Sequence, residues 1–252
     1  RAAQEHLKIV NLGATAIGTT VTAAPGYPEL AVKNLAELTG IDFKNSEDLI
    51  AATSDCGAYM TLSSAIKGLA VKMTKVCNDI RLLASGPRCG LKEINLPQLQ
   101  PGSSIMPGKV NPVAAEVANQ ASFLAIGLDT TVMLAASAGQ LELNVMEPVI
   151  TFALYTQMKV MTNACDTLRT KLVEGVTANT ERCKDYVMNS IGIVTLLKPH
   201  FGYQKCAAIA KEGYTTGKSL HQIVVDEQHL MTQAEWDATF NTQNLIHPKF
   251  VK

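Results

Sequence analysis

The sequence predicts an all-α protein: a long-helix bundle followed by a small helical C-terminal domain. Three observations carry this. Apolar residues recur in steps of three and four over long stretches, sustained alternation of apolar and polar residues is absent, and the helical stretches after Gly175 are short and punctuated by Gly202, Gly213 and Gly217.

The elements follow in chain order. Between 65 and 84, Ile66, Leu69, Ala70, Met73, Val76, Cys77, Ile80, Leu83 and Ala84 lie on one helical face. This helix is predicted to begin near Asp48 or Thr53 and to stop at Gly86-Pro87. A minor hairpin is expected between Gly90 and Pro101. A second helix is predicted over 111–138, with Asn111 as its cap and Pro112 at its first position. Val113, Val117, Ala121, Leu124, Leu128, Val132 and Ala135 form one stripe of it, and Phe123, Ile126 and Met133 another. A helix apolar on most sides belongs in a buried bundle. A third is predicted over 144–173, with Pro148 in its first turn and Gly175 beyond its end. All three exceed the mean helix of about 11–12 residues. The domain boundary falls at 176/177, giving a central domain over 1–176 and a C-terminal domain over 177–252. Short helices are expected there at 181–190, 203–213, 219–226 and 232–240, the last opened by a Thr232-x-x-Glu235 capping box.

Composition narrows the function. Hydrophobic residues make up 47% and charged residues 17%, against about 25% charged in an ordinary soluble domain. Such a lean surface predicts burial against other subunits. Net charge is zero and no Lys/Arg run occurs, which argues against nucleic acid and an anionic membrane as partners. No apolar run reaches the ~18 residues of a membrane span, and the polar opening, residues 1–6, does not read as a signal peptide. The six cysteines form no Cys-x-x-Cys pair and read as reduced core thiols, which predicts a cytoplasmic protein. The five histidines form no His-x-x-x-His pair, so no structural metal site is expected.

One run stands apart: Gly102-Ser103-Ser104-Ile105-Met106-Pro107-Gly108-Lys109-Val110-Asn111-Pro112. A Gly/Pro loop is by default a connector between helices. This one also holds the parts needed to remove a proton from carbon next to a carboxylate. That chemistry needs a base and fixed donors aimed at developing negative charge. Gly102 and Gly108 allow tight turns that present N–H groups. Lys109 adds a full positive charge and Asn111 an amide donor. The start of the following helix adds a partial positive charge. Ser103 is the candidate base, provided that backbone amides and Lys109 stabilise its alkoxide.

The run resembles the signature loop of the fumarase/aspartase superfamily. Other segments resemble the aspartate ammonia-lyase branch: Asn11-Leu12-Gly13-Ala14-Thr15-Ala16-Ile17-Gly18-Thr19, Ala52-Thr53-Ser54-Asp55-Cys56-Gly57-Ala58-Tyr59, Leu143-Asn144-Val145-Met146-Glu147-Pro148-Val149-Ile150, Asn189-Ser190-Ile191-Gly192-Ile193-Val194-Thr195 and Gln243-Asn244-Leu245-Ile246-His247-Pro248. Gly108 leans toward the fumarases, where many aspartases have alanine. The resemblance implies reversible deamination of L-aspartate to fumarate and ammonia through an aci-carboxylate intermediate, without an organic cofactor. It leaves Mg²⁺ activation open. Ser103 would be the catalytic base on a mobile loop. Ser104, Lys109 and Asn111 would bind substrate, with Gly102, Gly108 and Glu116 in support. Glu116 also fits as a helix-dipole carboxylate. The family's threonine-rich N-terminal segments have no counterpart here. The chain is therefore expected to be a fragment lacking the N-terminal domain and inactive alone, with whole sites shared between subunits of a homotetramer. The alternatives are a fumarate hydratase, acting on fumarate and L-malate, and a catalytically silent helical structural protein.

Overall fold

The computed structural model describes residues 2–246. Arg1, and His247 and Pro248 of the C-terminal resemblance segment, lie outside that range. The described chain is predominantly helical and divides into two compact units at 177/178.

The first unit opens with a short helix α1 (Ala2–His6) and the strand β1 (Ile9–Val10). A glycine-rich loop leads to α2 (Tyr27–Thr39), which starts after Gly26 and ends at Gly40; both glycines have positive φ. Strand β2 (Lys44–Asn45) then pairs parallel with β1. Asn45 holds the crossing point: its side chain accepts from Leu12 N at 3.0 Å and donates to the carbonyls of Leu12 and Pro28. Nothing in the hydrophobic periodicity announced this small β-α-β unit, because its strands are only two residues long.

The helix expected from Asp48 or Thr53 onward is two helices. α3 (Leu49–Ser54) is capped by Asp48, whose carboxylate accepts from the N–H groups of Ile50 and Ala51. The backbone then extends at Asp55, and α4 (Gly57–Leu83) starts afresh, with the Asp55 carboxylate taking the Gly57 N–H at 2.9 Å. Thr53 is thus inside α3 and caps nothing. α5 (Val113–Ser137) and α6 (Glu147–Lys171) complete the bundle, with Pro148 in the first turn of α6. No hairpin forms between 90 and 101. Its strand β3 (Ile94–Asn95) instead lies beside the end of the unit, where the Asn95 amide donates to the Thr177 hydroxyl, the first residue of β4 (Thr177–Ala178).

α5 is the central helix, packed against α4 on one side and α6 on the other. Its buried positions are small: Ala114, Ala115, Ala118, Ser122, Ala125 and Ala135. They let the helix axes approach closely and fit around Met73, Cys77 and Met161. Asn144 ties the turn between α5 and α6. It is 4% exposed, donates to the carbonyls of Ala135 and Ala136 at 3.1 Å and accepts from Met146 N at 2.8 Å. Half-way along the bundle sits a polar layer. Asp129 of α5 accepts from Ser63 and Lys67 of α4, and Gln157 of α6 donates to Ser63 and to the Ala125 carbonyl. Burial opposes the Asp129 charge, but hydrogen bonds from Lys67, Ser63 and Ser64 and the Lys67 charge outweigh it and hold the carboxyl below its ordinary value.

The expectation that no stretch could span a membrane needs correction. By length and composition, α5 alone among the described residues is long and apolar enough to do so. Core helices of soluble proteins meet the same criterion, and here Asp129 sits mid-helix in an ion pair with Lys67. The outward faces stay apolar and open: Phe123, Leu134, Phe152 and Tyr155 are all more than half exposed.

The second unit is built from α7 (Thr180–Met188), a 3₁₀ segment (Ile191–Leu197), α8 (Lys198–Thr216), a π-helical turn (Gln222–Glu227), α9 (Gln233–Thr239) and α10 (Thr242–Ile246). The expected 203–213 helix is longer at both ends and carries a non-helical residue at Gly202. The expected capping box is present: Thr232 Oγ1 accepts from Glu235 N, and the Glu235 carboxylate accepts from Thr232 N. Leu197, Ile209, Ile223, Val224 and Trp236 form this unit's own core.

The cysteines are less uniformly buried than their helical contexts predict. None of the six is in a disulfide, but only Cys56, Cys77 and Cys206 are buried, while Cys89 and Cys165 are exposed.

Candidate active site

The run 102–111 forms a loop that leaves the bundle and returns to the start of α5. Its two ends touch. The backbone of Gly102 lies so close to Lys109 that a Cβ at 102 would stand 2.0 Å from the Lys109 carbonyl oxygen. Glycine is needed there for space. At Gly108 the requirement differs: φ is +77°, with open surroundings, so glycine is needed for backbone conformation. The Asn111 side-chain amide donates to the Gly102 carbonyl at 2.6 Å across the same neck.

This corrects the expected role of Asn111 in the helix. It does not cap α5. The residue at the N-cap is Pro112, without a side-chain hydrogen bond, because the Asn111 amide turns back toward the loop. Ser103 sits at the loop's entrance. Its Oγ accepts from the backbone N–H groups of both Ile105 and Met106, each at 3.1 Å. Two converging amide donors are what a serine alkoxide would require, and residue types alone did not reveal which amides they would be.

Ser104, Lys109 and the tip residues Ile105 and Met106 are exposed, Ile105 by 85%. Among the described residues, no hydrogen bond or ion pair engages the Lys109 ammonium or the Glu116 carboxylate. Glu116 is half-buried in the first turn of α5, a position where its charge meets the helix dipole favourably. The loop thus brings Gly102, Lys109 and Asn111 together at its neck, next to Ser103, with Ser104 exposed along it and Glu116 in the first turn of the helix that follows.

A sizeable groove lies elsewhere in the first unit. It has a volume of about 530 Å³ and is lined by His6, Asn11, Asp55, Tyr59 and Glu147, among others. Burial raises the Tyr59 phenol above its ordinary value, and the Glu147 charge adds to this. Two carboxylates make the groove a poor host for a dianion. The serine loop, with a free cation and converging amides, is electrostatically the better one. Among the described residues no group of three or more His, Cys, Asp or Glu side chains could hold a metal ion.

Comparison with known proteins decides the family. Residues 1–127 match the sequence model of a lyase family, described simply as Lyase, and residues 193–247 match that of the fumarase C C-terminus. The chain belongs to the lyase family. It is 57% identical to the aspartate ammonia-lyase of Escherichia coli (strain K12) over 246 residues, which are 98% of this chain and 51% of that protein. Against the aspartate ammonia-lyase of Helicobacter pylori (strain ATCC 700392 / 26695) the identity is 51%, over 99% of this chain and 53% of the relative. Among solved structures, a fumarate lyase:delta crystallin from Brucella melitensis bound to cobalt superposes with a TM-score of 0.89 at 41% identity, covering 94% of this chain and 52% of that one. A recombinant class II fumarase from Schistosoma mansoni gives 0.87 at 30% identity, covering 98% and 56%. The chain spans about half the length of the curated relatives it matches.

Proposed function

We propose that this lyase chain supplies the base-bearing loop of an enzyme that converts L-aspartate reversibly to fumarate and ammonia. The observation that carries the reading is Ser103 Oγ held by two backbone N–H groups on a loop that also bears an unpaired lysine. The relatives named aspartate ammonia-lyase supply the substrate.

In this mechanism Ser103, as alkoxide, takes the proton from the carbon next to one carboxylate. The electron pair moves into that carboxylate, giving a dianionic aci-carboxylate. The pair then returns to form the carbon–carbon double bond as the C–N bond breaks and ammonia leaves. Two amides and the Lys109 charge favour the alkoxide over the hydroxyl. Lys109, Ser104 and Asn111 hold carboxylate oxygens, with the second N–H of Asn111 available beside its bond to Gly102. Gly102 and Gly108 shape the loop, and Glu116 supports the pocket from the first turn of α5. The loop closes over substrate and excludes water. The reaction uses no organic cofactor and takes place in the cytoplasm.

One loop is one part of a site. The open apolar faces of α5 and α6 fit burial in a homotetramer, in which other segments and other subunits complete each site. The chain alone is then a folded but inactive bundle. A second reading is fumarate hydratase, favoured by the fumarase C match at 193–247. It uses the same carbanion and expels water in place of ammonia. The test is fumarate absorbance with L-aspartate and with L-malate, using a polypeptide of the relatives' full length that contains this sequence. Aspartate should be the faster substrate. Malate outrunning aspartate would establish the hydratase instead. Light scattering on the same protein should give four copies, and a monomer would exclude shared sites.

A further inference from the structure

The loop's neck joins Gly102, which would touch no substrate, to Asn111, whose second N–H would. Gly102 immediately precedes Ser103, and its backbone lies against the Lys109 carbonyl with no space for a single added carbon. The Asn111 amide closes the same gap at 2.6 Å. Between the two ends, the chain turns so that the N–H groups of residues 105 and 106 both point back at atom γ of residue 103. That convergence involves three consecutive stretches of one short loop. Separating the loop's ends would let the entry strand rotate and take residue 103 away from its two donors.

We infer that Gly102 and Asn111 are positioning residues that pinch the serine loop shut at its base and thereby hold the anion-stabilising pocket at residue 103. The inference rests on the proposed reading of Ser103 as a base and assigns Asn111 a role beyond carboxylate binding. The two necks of the pinch act differently. Gly102 contributes absence of bulk, and Asn111 contributes a donor. Neither carries charge, so their effect on residue 103 is through geometry, unlike the Coulombic effect of Lys109.

The experiment needs no substrate. Ser103→Cys in the full 252-residue chain places a titratable thiol at the same atom. Its ionisation is read from the pH dependence of iodoacetamide labelling, resolved by peptide mass spectrometry, with the exposed Cys89 and Cys165 as internal references. Two amide donors should hold this thiol at least about one unit below the free value of about 8.5. Adding Asn111→Ala or Gly102→Ala should return it toward that value by about half a unit or more, with helix content by circular dichroism unchanged. Adding Asn111→Gln, which keeps a donor, should restore part of the depression. A depressed thiol that neither neck variant moves would overturn the pinch while leaving the base reading intact. A thiol with ordinary ionisation in the parent would remove the anion pocket, and with it the role of Ser103 as a base. A shift with Gly102→Ala alone would strike Asn111 from the device.

Discussion

Ser63, Lys67, Asp129 and Gln157 meet inside the bundle, while Ser103, Lys109 and Asn111 share an exposed loop. The residue types are nearly the same: a serine, a lysine and a carboxamide in each. The difference is the carboxylate. In the bundle, the Asp129 carboxylate pairs with the Lys67 ammonium and accepts a hydrogen bond from the Ser63 hydroxyl, while Gln157 donates to the serine oxygen. On the loop, no acid stands opposite the lysine among the described residues, and the serine oxygen receives N–H groups instead of giving its proton away. The first cluster neutralises its own charge and joins three helices, leaving the Gln157 Oε1 without a partner among the described residues. The second leaves a positive charge unneutralised beside a serine oxygen on which two N–H donors converge. Chemistry here depends less on which residues are present than on what their neighbours have already neutralised.

The contrast can be broken by substitution. In the full-length enzyme, Ser103→Ala should lower turnover by about 10²-fold or more, the usual scale for a positioned base, with the helical fold retained. Ser63→Ala should leave turnover within a few-fold. Equal losses from the two serines would dissolve the distinction. Asp129→Ala should lower stability by about 1–3 kcal/mol in urea unfolding, the range for stranding buried hydrogen-bond partners. The full figure for a broken buried ion pair does not apply, because the Lys67 side chain is 41% exposed.

Two further tests sharpen it. The Asp129 carboxyl is held below its ordinary value in the folded chain. Its stabilising contribution is therefore present above the unfolded value, about 3.9, and is lost as pH falls through the lower folded value. Asp129→Asn should flatten the acid limb of the stability curve below about pH 4. An unchanged limb would mean that other carboxylates set it. On the loop, Lys109→Met should shift the essential base upward in the pH–rate profile and weaken fumarate binding, since a nearby cation favours both anions. If neither moves, Lys109 is a solvated loop lysine. Last, Asn144→Ala should lower stability by about 1–3 kcal/mol, because the carbonyls of Ala135 and Ala136 and the N–H of Met146 lose their partner, with no change at the serine loop.

Periodicity made α4, α5 and α6 readable from sequence, and the capping residues made α9 readable, because each signal is local: a face every three to four residues, or a hydroxyl three residues before a glutamate. The break between α3 and α4 was not readable in that way. Apolar spacing continues across it, and only the Asp55 side chain, capping Gly57, marks the new start. The parallel pairing of β1 with β2 was equally silent, since two-residue strands have no measurable period. The serine loop was recognisable by its composition, with Ser103, Lys109 and Asn111 set between Gly102 and Pro112.

The amino-acid sequence by itself determined a predominantly helical chain, its three long helices, the capping box that opens α9 and the choice of residues on the serine loop. Those properties follow from interactions within a few positions along the chain. Tertiary structure decided the rest. It put Asp129 opposite Lys67, which lies 62 positions away, and so turned a membrane-like helix into a bundle core. It also turned Asn111 away from α5 and toward the Gly102 carbonyl. Which donor meets which acceptor is set by packing in three dimensions, and a local pattern contains no information about the neighbour that will neutralise a charge or leave it free.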